Sequence, residues 1–322
     1  MPAEWAPHER TLMSWPCRRE LWRDQLAAAK EQYAGVANTV AAFEPVTMVC
    51  ADAADAAEAR AALTSRVEIV ELPIDDSWLR DNGPIFVTGG GRRAGVHFGF
   101  NAWGEAFAGW DRDAAVGRLL IERLGDSRYE APLILEGGSI AVDGEGTLLT
   151  TEECLLNPNR NPGHSREQIE DILRDYLGVE HIVWLGQGLV EDRDTDGHVD
   201  LIAAFTRPGE VLLQSTPPGT PSHERMAGNR DRLIAAGLEV VDFPILPKVD
   251  VAGEETAVSH VNFYFCNGAV IVPTAGVDSD SEALDRVAAA YPGRAAIGVL
   301  GTVLAYGGGG PHCITQQVPA AP

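Results

Sequence analysis

Four short stretches of the chain set side chains capable of chemistry beside tight turns. The first, Ile74 to Pro84, groups Asp75, Asp76 and Asp81 around Trp78 and Arg80 and ends in a Gly-Pro turn. Carboxylates around an indole suit the grip of a cation, and a charged surface turn is the bland alternative. The second is Leu135-Glu136-Gly137-Gly138-Ser139. Glu136 ends the apolar run LILE, 133–136, where a carboxylate is partly buried and needs a partner. Its two glycines let another segment or a ligand come close. The third runs from Asp194 to Asp200. His198 and Asp200 stand two apart and share a face if the segment is extended. An Asp beside a His orients the imidazole and raises its pKa. In the fourth, Cys313 follows four glycines, Pro311 and His312. Taken alone, such a cysteine is more often a small buried hydrophobe than a nucleophile.

Taken together, the four stretches meet one chemical requirement. The carbon of a guanidinium is poorly electrophilic because its charge is spread over three nitrogens. Attack calls for a strong nucleophile, which a thiolate supplies. Carboxylates must hold the planar cation through its donors. The departing ammonia needs a proton and a later water needs activation, and one His can do both in turn. A papain-like protease also uses Cys and His but has no need of two or three carboxylates at the reacting group. Asp and His leave a zinc site as a rival, yet there is no HExxH. The other histidines (His8, His97, His164, His181, His223, His260 and His312) form no ligand pattern. No GxGxxG follows a strand, no phosphate loop ends in GKS or GKT, and the glycines at 307–310 lack a following Lys.

Periodicity indicates the elements that must position these residues. Apolar residues at helical spacing predict a helix over 20–43, stopped by Pro45 and followed by the buried strand 46–50. A second helix, 54–63, leads to a strand at 67–72. The alternation returns as helix 111–124 with strand 133–136, helix 165–177 with 181–186, helix 223–236 with 238–245, and helix 281–290 with 295–300. Ser165 and Glu167 give the helix at 165 a polar start. Hairpins are expected across Gly-Gly-Gly-Arg-Arg at 89–93, around Asp143-Gly144, and at Asn267-Gly268, the strongest hairpin signal in the chain. The result is a loose repeat of about 50 residues, some five units, each with strands and one helix. No linker divides the 322 residues, so one α/β catalytic domain over 1–322 is expected. The hairpins argue against an all-parallel, doubly wound sheet.

Composition sets outer limits. Acidic residues outnumber basic ones 47 to 25, for a net charge of −22. That field repels nucleic acid and anionic membranes. It attracts small cations, or serves only as a wet acidic surface. Five cysteines (Cys17, Cys50, Cys154, Cys266 and Cys313) are odd in number and widely spaced, unlike a disulfide framework, and no CxxC is present. The first residues lack a basic start and an apolar core, and no apolar run approaches the roughly 18 residues that span a bilayer. These features predict a reduced, cytoplasmic enzyme.

At this point the chain resembles the agmatine deiminases, within the guanidino-group modifying superfamily that includes the bacterial peptidyl-arginine deiminase-like proteins. The likeness begins at Met1-Pro2-Ala3-Glu4-Trp5 and Pro7-His8-Glu9-Arg10 and continues through Trp15-Pro16, Trp78, Arg80-Asp81, Gly83-Pro84 and Phe100-Asn101-Ala102-Trp103-Gly104. It takes in Glu136-Gly137-Gly138-Ser139 and Leu149 to Asn157, then Gly197-His198-Val199-Asp200, and closes on Gly310-Pro311-His312-Cys313-Ile314-Thr315-Gln316-Gln317. Any one motif is weak to moderate, while their order and spacing are strong.

The resemblance implies a pseudo-fivefold α/β propeller with the active site in a central channel. The implied reaction is agmatine plus water to N-carbamoylputrescine plus ammonia, in polyamine metabolism, with no metal and no organic cofactor. Homo-oligomers, commonly dimers, are implied as well. Position by position, Cys313 is implied to form a covalent adduct and His198 to act as acid and then base. Asp81 and Asp200 would clasp the guanidinium, and Glu136 would orient the His. A cationic tail suits nearby acidic residues: Glu191, Asp192 and Asp194, and Asp76 on the other side. Trp78 and Trp103 could cover an aliphatic stem or stack on the guanidinium, and Trp103 could equally be core. Departures from the family pattern are Pro311, the acidic run 191–194 and a rather short chain. A deiminase of another guanidino compound or of peptidyl arginine, an amidinotransferase, and an inactive guanidinium-binding protein remain alternatives.

Overall fold

The computed structural model describes residues 1–321. Four successive segments fold alike: an antiparallel hairpin, a helix, and a third strand that returns parallel to the hairpin's second strand. The first uses Ile85–Gly89, Arg92–Gly99, helix Asp113–Leu124 and Ser127–Ile134. The second uses Ala141–Val142, Thr147–Thr151, helix Arg166–Leu177 and His181–Leu185. The third uses Ala203–Arg207, Glu210–Gln214, helix His223–Ala235 and Glu239–Phe243. The fourth uses Tyr264–Cys266, Ala269–Thr274, helix Ser279–Ala290 and Ala295–Leu300.

A fifth unit joins the two ends of the chain. Strand Thr315–Pro319 pairs antiparallel with His8–Ser14, which lies parallel to Val46–Cys50 across helix Leu26–Val40. Helix Ala53–Ala62 and strand Val67–Glu71 extend this sheet to four strands. Five ββαβ units make the pseudo-fivefold α/β propeller that the resemblance implied. A two-stranded hairpin, Lys248–Val251 with Glu254–Ala257, stands outside the five sheets and carried no distinct signal in the sequence.

Local physics accounts for the agreements and the departures. Val46–Cys50 is apolar on both faces because it is buried on both. Helix Arg166–Leu177 starts in a capping box: the Ser165 hydroxyl accepts from the Gln168 N–H, and Gln168 reaches back to the Ser165 N–H. Glu167 stands in the first turn, so the polar start expected from Ser165 and Glu167 is present, and Gln168 adds the box. The helix expected over 20–43 is broken. Arg23, at φ 49° and ψ −126°, separates Arg19–Trp22 from the later turns. The break lets Trp22 turn inward, where its ring stacks on Trp78 at 5.6 Å. The strand expected at 133–136 is Ser127–Ile134, so Glu136 lies beyond its end. Its first four residues are exposed, and their polar character hides the strand from a search for apolar runs. No helix among the described residues is long and apolar enough to cross a membrane.

In each unit the first strand is preceded by a tight turn, and all five turns face one centre. Asp81 lies in Leu79–Asn82, ahead of Ile85, and Gly138 in Gly137–Ser139, ahead of Ala141. Asp200 lies in Val199–Leu201, ahead of Ala203. Asn262 and Cys313 sit in turns just before Tyr264 and Thr315.

Candidate active site

Cys313 is buried at the centre. Its Sγ lies 3.2 Å from Asp200 Oδ2 and 3.2 Å from Asn262 Nδ2. His198 Nδ1 stands 3.8 Å from Asp81 Oδ1, and its Nε2 stands 4.0 Å from Glu136 Oε2. Asp81 is fixed at both oxygens: Gly138 N–H donates to Oδ1 at 3.0 Å and Trp103 Nε1–H donates to Oδ2 at 2.9 Å. Glu136 Oε1 accepts from Arg160 Nε at 2.6 Å, and Arg160 also reaches Asp196 and the Thr195 carbonyl. The Thr195 hydroxyl in turn accepts from the His198 backbone N–H at 3.1 Å. Arg160 thus ties the Glu136 segment to the His198 segment.

Two glycines mark where backbone must come close. A Cβ on Gly138 would lie 2.6 Å from His198 Nδ1 and 2.8 Å from both Asp81 Oδ1 and Asp200 Oδ2. A Cβ on Gly309 would lie 2.8 Å from Cys313 Sγ and equally close to the Trp78 ring. Trp103 arrives by a different route. Ala102, Trp103, Gly104 and Glu105 all have positive φ, a left-handed turn that costs of order 1–3 kcal/mol per non-glycine residue. Asn101 supports it, accepting from Gly104 N–H at 2.9 Å. The strain delivers the indole N–H to Asp81.

Several buried polar atoms lack protein partners: both His198 ring nitrogens, Asp200 Oδ1 and Glu136 Oε2. Unmade hydrogen bonds at buried groups are costly, and here they converge on one place. Burial, with Asp200 and Asp81 adding negative field, pushes the Cys313 thiol well above its ordinary range. Burial also raises Asp81 to about 6, against the pull of His198. Burial acts upward on Asp200 too, but the hydrogen bond and charge of His312, with the charge of His198 and the hydrogen bond of Cys313, outweigh it and leave that carboxyl below its ordinary value. A bound cation would relieve the strain of this acidic, desolvated site and favour the thiolate.

Of the other residues picked out from sequence, Trp78, Trp103 and Asp194 line a narrow cleft beside Asp81 and Cys313. The Asp194 carboxylate makes no ion pair among the described residues, and burial raises its pKa. It also borders a wider cleft of about 1070 Å³, lined by Glu191, Asp192 and Glu254 among others. Glu191 is engaged there, accepting from Ser222 Oγ at 2.5 Å and pairing with Lys248 at 3.1 Å. Asp192 accepts from the backbone of its own loop. Asp76 is not brought to either cleft. It is buried against Arg18, 2.9 Å away, beneath the Trp78 turn. Glu136, Cys154 and His198 could each offer a metal a ligand atom, within 4.8 Å of one another. That set shares two members with the centre above.

Sequence reasoning did not single out Asn262, Arg160, Glu4 or His312 for a role. Asn262 is the contribution of the fourth unit, and the repeat itself could have pointed to the turn ahead of Tyr264. Glu4 and His312 both stand inside motifs of the resemblance. His312 Nδ1 lies 2.8 Å from Asp200 Oδ2, and its Nε2 lies 2.8 Å from Glu4 Oε1.

A thiol, an imidazole and three carboxylates meet at the hub of a five-unit propeller, the set of groups that chemistry at a guanidinium requires. The chain belongs to the family described as Porphyromonas-type peptidyl-arginine deiminases, whose match spans residues 1–319. Among its relatives, the agmatine deiminase of Stutzerimonas stutzeri (strain A1501) is 45% identical over 358 residues, covering 99% of this chain and 95% of that protein. The agmatine deiminase of Pseudomonas aeruginosa (strain LESB58) is 43% identical over 357 residues, with coverage of 99% and 95%. Among solved structures, an agmatine deiminase of Enterococcus faecalis superposes with a TM-score of 0.94 at 36% identity, covering 100% of this chain and 96% of that one. The C. jejuni agmatine deiminase gives a TM-score of 0.87 at 26% identity, covering 99% and 95%.

Proposed function

We propose that this chain hydrolyses the guanidinium group of agmatine, releasing ammonia and N-carbamoylputrescine. The observation that carries this reading is the convergence of partnerless atoms from His198, Glu136 and Asp200 beside Cys313. The full-length likeness to agmatine deiminases supports it.

Asp81 and Asp200 hold the guanidinium nitrogens, and the cation's charge lowers the cost of ionising Cys313. The Cys313 proton passes to His198, and the thiolate forms a C–S bond at the guanidinium carbon. His198 gives a proton to one nitrogen, and that C–N bond breaks as ammonia leaves. Water then enters, His198 takes its proton, and the oxygen adds to the amidino carbon. Collapse breaks the C–S bond, restores the thiol and leaves the carbamoyl product. Glu136, braced by Arg160, orients the imidazole. The charged side chains lining the inner cleft are Asp81 and Asp194. Asp194 suits an ammonium tail, whereas the α-carboxylate of arginine would meet repulsion there.

Each of the five units supplies a residue to the centre, so residues 1–322 act in this reading as one catalytic domain. A cytoplasmic location and a homodimer belong to the same proposal, the latter checked by light scattering. The decisive assay compares kcat/KM for ammonia release from agmatine, arginine and an arginyl peptide, with Cys313→Ser as control. Agmatine is expected to be preferred by at least about 100-fold, the scale of an unpaired buried charge. Higher efficiency on either arginine substrate would overturn the substrate assignment.

A further inference from the structure

The site holds a second imidazole for which the reaction above has no use. His312 precedes the nucleophile, is buried, and lies between two carboxylates. Its Nδ1 is 2.8 Å from Asp200 Oδ2, and its Nε2 is 2.8 and 3.0 Å from the two oxygens of Glu4. Ionised carboxylates only accept hydrogen bonds, and a neutral imidazole has one N–H. Two short contacts to two carboxylates are both satisfied only when the ring donates from both nitrogens, as the imidazolium.

The surroundings balance that charge. Arg80 NH1 lies 3.6 Å from Glu4 Oε1, and Arg80 Nε donates to the His312 carbonyl at 3.3 Å. Arg80 is itself almost fully buried. Two cations and two anions therefore alternate as Arg80, Glu4, His312 and Asp200. Cys313 Sγ meets the end of this chain at the same Asp200 Oδ2, while Oδ1 is left without a protein partner. His198 adds a favourable charge to Asp200, the Cys313 thiol donates to it, and the like charge of Asp81 faces it from the first unit's turn.

We propose that Glu4 and His312 are positioning residues that keep Asp200 ionised inside the protein and aim its free Oδ1 at the guanidinium. A buried carboxylate without a cation beside it tends to take up a proton. In the unliganded site, the fixed imidazolium supplies that cation before the substrate does. It also occupies Oδ2, so the clasp has one available oxygen with a set direction. The direction of the shifts agrees. His312 is raised despite burial and Arg80, through Glu4 and Asp200, and Glu4 falls to about 2 despite burial, chiefly through His312 and then Arg80.

This inference rests on the deiminase reading for its kinetic consequences, though its central claim is a protonation state that can be observed directly. In NMR of the full chain carrying isotope-labelled histidine and Cys313→Ser, the His312 imidazole is expected to stay doubly protonated at ~pH 8, well above the ordinary histidine range. That resonance should vanish with His312→Asn. A His312 that is neutral near pH 7 overturns the proposal without recourse to any variant of Glu4.

Glu4→Gln keeps a hydrogen-bonding group at the same reach and removes the charge. It is expected to lower the pH at which His312 loses its proton. In the otherwise wild-type enzyme it should raise KM for agmatine about tenfold at mildly acid pH, with a smaller fall in kcat and recovery as pH rises. A loss of activity equal at every pH would mark a merely structural tie and overturn the proposal, as would an unchanged KM. Failure of the wild-type protein to release ammonia from agmatine would instead count against the deiminase reading alone.

Discussion

Asp81 shows how a residue's surroundings can be read as chemistry. Both of its oxygens accept from fixed donors, so it is held in place before any ligand arrives. Asp81→Asn would turn an amide N–H toward one of those donors and remove a charge from the clasp. kcat/KM for agmatine is expected to fall by about 100-fold or more, the scale of losing a preorganised charged contact. Ammonia release under steady-state conditions measures it. The pH dependence has a definite sign. Burial raises Asp81 from 3.8 to about 6, so kcat/KM should decline as pH falls below about 6 and the carboxylate is neutralised. For stability the sign is opposite. Between 3.8 and about 6 the folded state holds a proton that the unfolded state has released, so this group's contribution falls as pH rises through that window. A kcat/KM profile flat down to pH 5 would contradict the role given to Asp81. Gly138→Ala is the companion test: the added methyl collides with His198, Asp81 and Asp200, and activity should be lost with the fold retained by circular dichroism.

At the scale of elements, the sequence was legible where a signal is local. Helix Arg166–Leu177 announces itself through its spacing and Ser165, and the hairpin at Asn267-Gly268 through its turn. Removing the capping hydroxyl with Ser165→Ala should cost about 1 kcal/mol in chemical denaturation and leave kcat unchanged. Strands His8–Ser14 and Thr315–Pro319 were not legible, because each exists by pairing with the other from the far end of the chain. The same holds for side chains. Cys313, His198, Asp81, Asp200 and Glu136 stand in short motifs whose residue types suggest chemistry, though the resemblance was needed to join them. Glu4 meets His312 across 308 positions, and no spacing rule reaches so far. Asp76 looked like a cation ligand because it stands near Asp81, but Arg18 claims it and turns it away from both clefts.

In the whole molecule, five similar units give five different residues to one centre, so the ring must close for the site to exist. Strand Thr315–Pro319 is buried along its length and completes the four-stranded sheet of the fifth unit. Val318→Asp places an unpaired charge in that seam and is expected to cost several kcal/mol, with loss of cooperative unfolding and of activity. Val241→Asp, at an exposed position on another sheet, should change stability by less than about 0.5 kcal/mol and serves as the control. Thermal melts of the two variants side by side decide the matter.

Closure also imposes an order in time. Synthesis proceeds from the first residues toward the last at about 5–20 residues per second. His8–Ser14 therefore leaves the ribosome long before the strand that covers its edge, and that edge stays unpaired until the stretch from Cys313 to Pro319 appears. The nucleophile arrives in the same stretch as the closing strand. A partly made chain thus carries Asp81, Glu136 and Asp200 but lacks Cys313, the cysteine that completes their centre, and an interrupted chain is left with an open sheet edge for proteases or chaperones to find.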